Sequence, residues 1–280
     1  MSVTNPRERR SGIHPALSSL AVLALVALGF PADADADAEK LPSAASVLDK
    51  HVAATGGERA HLQLKTRTMV GKLSVDMAGH RFEARVERHA QAPNNSHLLI
   101  QGKRVFKVSA TNGVDAWQWS PVHSHDAKSG HAPGGRASLL KGAQKAQVID
   151  QGSFHAVVGW RQRFDEVETS GLVDVEGRPA YRIEVTTRHG SQFSQYYDQE
   201  NGRLVRYTFT QQSAHMGALD IDVLVKDYRE FDGVWLPTRI VQRLRSANLG
   251  EGTQTWTYSA IQHGVEIAPS LFQVPEELRG

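Results

Sequence analysis

The sequence contains no cysteine. That absence removes disulfides, thiolate nucleophiles, cysteine-ligated metal sites and any lipid anchor built on a cysteine. An excess of one charge sign is missing too: 32 Lys and Arg stand against 30 Asp and Glu, a formal net charge of +2. With no compact basic patch carrying interleaved aromatics, nucleic acid is not an expected partner. No G-x-S-x-G elbow, phosphate-binding loop or dinucleotide fingerprint occurs, so the familiar catalytic signatures are lacking. The hydrophobic fraction of 40% and charged fraction of 22% are those of a globular protein and speak against disorder and a membrane-embedded bundle. A chain of 280 residues is long enough for two domains, yet all-β sandwiches and barrels reach this length as one.

The apolar run from Ala16 to Phe30 comes after Arg7, Arg9 and Arg10 and precedes the Ala-Asp-Ala repeats of Pro31 to Ala38. This is the order of a signal peptide, with small residues where a signal peptidase reads, and cleavage is expected after Ala36 or Ala38. The run falls short of the roughly 20 residues that span a bilayer. Residues 1–38 are therefore expected to be removed, leaving no transmembrane segment and a periplasmic domain over 39–280.

Period two dominates what remains. From Asp220 to Leu244 the chain reads as a long hairpin: Ile221, Val223 and Val225 alternate with Asp220, Asp222 and Lys226, and Phe231-Asp232-Gly233 supplies the turn. Pro237 donates no backbone hydrogen bond and belongs near a strand's start or on an edge. Ahead of the strands, Ser43 to Gly57 has helical spacing, with Ser43 as cap and Gly56-Gly57 as stop, and a second short helical turn is expected over Ala60 to Leu62. Further strands are expected at Thr66–Val75, Arg81–Ala90, His97–Ile100, Arg104–Ala110, Gly113–Trp119, Val167–Val173, Ala180–Arg188, Gln192–Asp198, Leu204–Gln212 and Gln254–His263. Ser120 to Gly135 reads as loop, Arg136 to Asp150 as helix, and Ser153 to Phe164 as loop or irregular helix. The total is about eleven strands in one curved antiparallel sheet.

Three stretches carry a resemblance. Ala53-Ala54-Thr55-Gly56-Gly57, the run Asp227-Tyr228-Arg229-Glu230-Phe231-Asp232-Gly233-Val234-Trp235-Leu236-Pro237, and Pro269-Ser270-Leu271-Phe272-Gln273-Val274-Pro275 resemble exported bacterial outer-membrane lipoprotein-sorting proteins, the LolA/LolB-like group. The resemblance implies a mainly β fold: an unclosed β-barrel whose concave apolar face is covered by an N-terminal helix and a central helical insertion. It also implies a lipid or lipoprotein acyl chain lying on that face, bound without catalysis and without a cofactor.

Strand parity nominates the residues of that face: Tyr181, Ile183, Val185, Phe193, Tyr197, Val205, Tyr207, Phe209, Val223, Val225, Trp256 and Tyr258. For any one of these residues the alternative is a place in a dry core packed beneath the helices. His123, His125, Asp126 and His131 form the sharpest chemical cluster, since imidazoles and a carboxylate at short spacing suit a borderline metal. A metal-dependent hydrolase using that loop is thus the alternative function, although the spacing matches no specific metal motif and no metal site is assigned. The pairs Asp198 and Glu200, and Asp220 and Asp222, sit at a turn or on a strand's polar face and read as solvated surface. A structural envelope module that binds a protein partner along its sheet edge is a third reading.

Export generates a direct test. Intact-mass measurement of the secreted protein is expected to give a chain starting close to Glu39; a chain that retains Met1 in the inner membrane would refute the signal peptide.

Overall fold

The computed structural model describes residues 40–77, 79–103, 105–121, 135–188, 190–213, 217–246, 248 and 250–279. The expected signal segment, 1–38, lies outside them.

Two antiparallel meanders make the sheet. The first runs β1 (Thr66–Met77), β2 (His80–Gln91), β3 (Asn95–Gln101), β4 (Phe106–Asn112), β5 (Ala116–Pro121) and β6 (Gly135–Leu139). The second runs β7 (Phe164–Val175), β8 (Arg178–Thr187), β9 (Gln192–Asp198), β10 (Leu204–Ser213), β11 (Gly217–Phe231), β12 (Val234–Ser246) and β13 (Gly250–His263). Antiparallel pairing of β1 with β13 fuses them into one 13-stranded sheet, in the order β6-β5-β4-β3-β2-β1-β13-β12-β11-β10-β9-β8-β7. The sheet is open, and β6 and β7 are its edges.

The strand with no expected counterpart is β6, which forms where the end of a loop and the start of a helix were expected. Gly135 to Leu139 has little β character of its own. It is extended because Ala137 and Leu139 pair with Trp119 and Trp117 of β5, and partnership outweighs weak propensity. The helix that was expected from Arg136 begins only after it, as α3 (Gly142–Gly152), and α4 (Trp160–Arg163) is the short irregular helix before β7.

The hairpin of β11 and β12 turns where Asp-Gly requires it. Asp232 and Gly233 both take positive φ, 51° and 81°, the twist-matched conformation of a two-residue connection. Pro237 is tolerated inside the sheet because the pairing of β12 with β13 begins only at Arg239, so its missing N–H leaves no ladder bond unmade on that side.

The N-terminal helix is built for this hairpin. α1 (Ala44–Ala54) starts where the Ser43 hydroxyl accepts from the Ser46 amide at 3.2 Å, and its apolar stripe of Ala44, Val47 and Leu48 is buried. That stripe packs on Ile183, Val185 and Tyr197, with Trp160 and Phe164 closing the side. At its end, the Trp235 amide donates to the Thr55 carbonyl at 3.0 Å. Gly56 has φ of +116°, and a Cβ on it would lie 2.2 Å from the Gly233 carbonyl oxygen, so a helix end and a hairpin turn meet backbone to backbone. Lys50 donates to the Gln199 carbonyl at 2.7 Å and the His51 ring meets the Gly202 carbonyl at 3.1 Å, fastening the same helix to the β9–β10 turn. α2 (Gly57–Gln63) comes next, and its Ala60 lies against Val234, Leu236, Tyr258 and Ile261.

Two predictions arise here. Gly56→Ala is expected to lower stability by about 2 to 4 kcal/mol, since it combines positive φ with a backbone clash. Gly233→Ala, whose Cβ would meet only the Ala60 methyl at an ordinary 3.8 Å, is expected to cost only about 1 kcal/mol. Equal effects in denaturant unfolding would contradict the contact. The second concerns acid. Burial pushes the pKa of both His51 and His61 from the ordinary 6.5 down to about 4. As pH falls through that window the unfolded chain takes up protons that the fold refuses, so stability is full above the unfolded value and lost toward the folded one. The melting temperature is expected to drop between about pH 7 and about pH 4.5, and to drop much less in a His51→Gln/His61→Gln double variant; a flat wild-type profile would contradict burial of the neutral rings.

Candidate functional site

The two helical segments cover the sheet differently. α1 buries Ala44, Val47 and Leu48 against the strands. α3, with the sequence GAQKAQVIDQG, is mostly polar and buries only Gly152. Gly152 marks its point of attachment, where a Cβ would lie 2.6 Å from the Thr111 methyl group and 3.1 Å from the Asn94 carbonyl. Lys145 adds an ion pair to Asp115 of the β4–β5 turn at 3.1 Å, and beyond these attachments a cavity of about 2260 Å³ lies between Gln144, Gln147 and Gln151 on one side and the strands on the other. Ordinary small-molecule pockets hold roughly 300 to 1,000 Å³.

The sheet side of this cavity is set by register. Phe209, Ile221, Leu244 and Gly252 are successive cross-strand partners, and Met77 pairs with Gly252, where the missing side chain leaves room for its thioether. A second row runs Gln195, Tyr207, Val223, Gln242 and Gln254, and a third runs Val225, Ile240, Trp256 and Leu73. All three point inward because side chains two apart share a face. The amides of the middle row have aromatic partners: the Trp256 indole donates to the Gln242 carbonyl oxygen at 3.2 Å and the Tyr197 hydroxyl to that of Gln195 at 2.8 Å. Tyr207 and Phe209 stack nearly parallel, 6.1 Å apart, and are only half-buried. Partly exposed aromatic faces beside satisfied amides suit a long apolar ligand.

The nominated residues divide accordingly. Val185, Phe193, Tyr207, Phe209, Trp256 and Tyr258 line the cavity. Tyr181, Ile183 and Tyr197 belong to the packing beneath α1, Ile183 at 0% exposure. Val223 and Val225 are buried, at 0% and 5% exposure, in the floor behind the lining. Val205 packs elsewhere, with Val175, Ala180, Tyr196 and Leu224. The register between β10 and β9 slips between Leu204 and Arg206, and this bulge turns Val205 out of the parity it would otherwise share with Tyr207. Ile221, Ile240 and Leu244 also line the cavity and were legible from the same alternation.

Two cations also line the cavity, neither of them among the nominated residues. Arg88 occupies the inward register of Ala84 and Val86 on β2, opposite Leu98 of β3. It donates to the Gln151 carbonyl at 2.6 Å. Arg163, at the end of α4, donates to the Ala156 and Asp150 carbonyls at 3.3 and 3.4 Å and lies 5.4 Å over the Phe164 ring. Burial lowers its pKa. Both side chains line the cavity. His123, His125, Asp126 and His131 lie outside the described residues. Among the described residues, no group of three or more His, Asp or Glu is placed to hold a metal ion.

Neither a family model nor a curated protein matches this sequence. Solved structures do match in fold. A LolA superfamily protein from Nitrosomonas europaea superimposes with a TM-score of 0.54 at 15% identity, over 84% of this chain and 99% of that one. A DUF1329 family protein from Desulfovibrio piger gives 0.54 at 13% identity, over 82% of this chain and 97% of that one. Likeness at such identity concerns architecture, and the open antiparallel sheet with its helices is what this chain shares with these two proteins.

Proposed function

We propose that the protein is an exported, periplasmic, non-catalytic carrier that holds an apolar ligand bearing acyl chains between α3 and the concave face of the sheet. The observation that supports this most is the cavity itself: about 2260 Å³ bounded by half-buried aromatic and aliphatic side chains beneath a polar helix that does not fill it. Apolar surface left open in this way costs free energy in water, at roughly 25 cal/mol per Å², and an acyl chain laid along the half-buried Phe209, Ile240 and Trp256 recovers it. The fold likeness to a LolA superfamily protein is consistent with this reading. So is the sequence, which offers neither a nucleophile motif nor a dinucleotide fingerprint. Among the described residues no helix is long and apolar enough to cross a membrane.

Trp256 provides the readout, because it lines the cavity. Titration with a bromine-labelled fatty acid is expected to quench its fluorescence saturably, and Trp256→Phe is expected to remove that component. Phe209→Gln is expected to weaken binding by about 5- to 30-fold, the equivalent of about 1 to 2 kcal/mol of lost apolar contact, while shifting the melting temperature little. Absence of saturable quenching in the unmodified protein would remove the carrier reading.

A further inference from the structure

Resting on the carrier reading, we infer that the ligand is an anionic amphiphile whose carboxylate or phosphate head is held by Arg88 and Arg163 while its tail lies along the stacked rings of Tyr207 and Phe209. Arg88 stands at an inward position of β2, where its neighbours in register are Ala84 and Val86. A guanidinium there is costly unless its charge is met. The backbone meets part of that need through carbonyls at the C-terminal end of α3: Gln151 for Arg88 and Asp150 for Arg163. Because those carbonyls belong to adjacent residues, the two cations are brought to one place in the cavity from opposite parts of the chain. Burial lowers the pKa of Arg163, and the charge of Asp150 opposes that shift without cancelling it.

Arg163 is not saturated there. A guanidinium carries five N–H donors. Arg163 places donors on two carbonyls, and its Nε is buried without any hydrogen-bond partner. Burial raises the pKa of the Tyr207 and Tyr258 phenols, and the nearby charge of Arg88 offsets part of that rise at both. Tyr207 stacks on Phe209, so the charged end of the cavity and its aromatic wall are contiguous. A planar fork of donors beside a buried apolar trough fits a head with two or three oxygens joined to a hydrocarbon tail. A neutral lipid would bury the same trough and bring no counter-charge to Arg88 and Arg163.

The test compares heads on one tail. A dansyl-labelled undecanoic acid and its methyl ester are titrated into the full mature chain at neutral pH, with palmitate and palmityl phosphate as unlabelled competitors. The acid is expected to bind at least about ten-fold more tightly than the ester, from charge-assisted hydrogen bonds. That ratio is expected to fall toward one in Arg88→Gln and Arg163→Gln, with the ester's affinity unchanged, and to be largely retained in Arg88→Lys. The better competitor identifies the head as carboxylate or phosphate. Equal binding of acid and ester by the unmodified protein would overturn the anionic head and leave the carrier reading standing. Failure of both probes to bind would overturn the two together. The acid-to-ester ratio of the unmodified protein decides the matter even if a glutamine variant does not fold.

Discussion

The meeting of the end of α1 with the turn of the β11–β12 hairpin is the contact on which the remaining architecture depends. Two backbones approach closely enough that Gly56 has no room for a side chain against the Gly233 carbonyl, and the Trp235 amide completes the junction on Thr55. Thr55 is itself buried and turns its hydroxyl back on the His51 carbonyl at 2.8 Å. Beside it, Arg203 lies 4.0 Å over the Trp235 ring. Fixing the helix at this point directs its apolar stripe onto β8 and β9, and sets α2 against Val234 and Tyr258. A sheet of this size needs one face covered, and this junction decides which part is covered dry.

Over the rest of the face, two helices stand in contrast. α1 presents Val47 and Leu48 and excludes water from Ile183 and Tyr197. α3 presents glutamines and is anchored through Gly152 and the two arginines. The half-buried side chains of Tyr207, Phe209, Ile240 and Trp256 therefore have water or a ligand as neighbour, and the hydrophobic effect favours the ligand. The opposite face differs: it carries exposed ion pairs such as Lys72 with Glu83 at 2.7 Å, and its apolar residues Val175, Tyr196 and Leu224 are buried in a cluster of their own. Ion pairs of this kind contribute little stability and keep the surface soluble.

Features set by local chemistry were legible in the sequence. Ser43 caps, Asp232-Gly233 turns, and the alternation of Ile221, Val223 and Val225 fixes a face, because each depends on residues within a few positions. Features set by partners were not. The β6 segment is a strand because of Trp117 and Trp119, and Val205 left its expected face because a bulge intervenes. Ala53 to Gly57 and Asp227 to Pro237 look like separate punctuation in the chain, yet they are two halves of one contact. Arg88 left a trace that period two exposes, a cation in the register of alanine and valine; Arg163, on a helix of four residues, left none.

On the proposed carrier reading, the cavity beneath α3 holds an acyl-bearing amphiphile in the cell. Native mass spectrometry of protein isolated from its own envelope without detergent addresses it directly. The expected result is a bound species that dissociates on activation as an anion of lipid mass, and that is diminished in Phe209→Gln. Apo protein alone, unchanged after incubation with the envelope's extracted lipids, would contradict it.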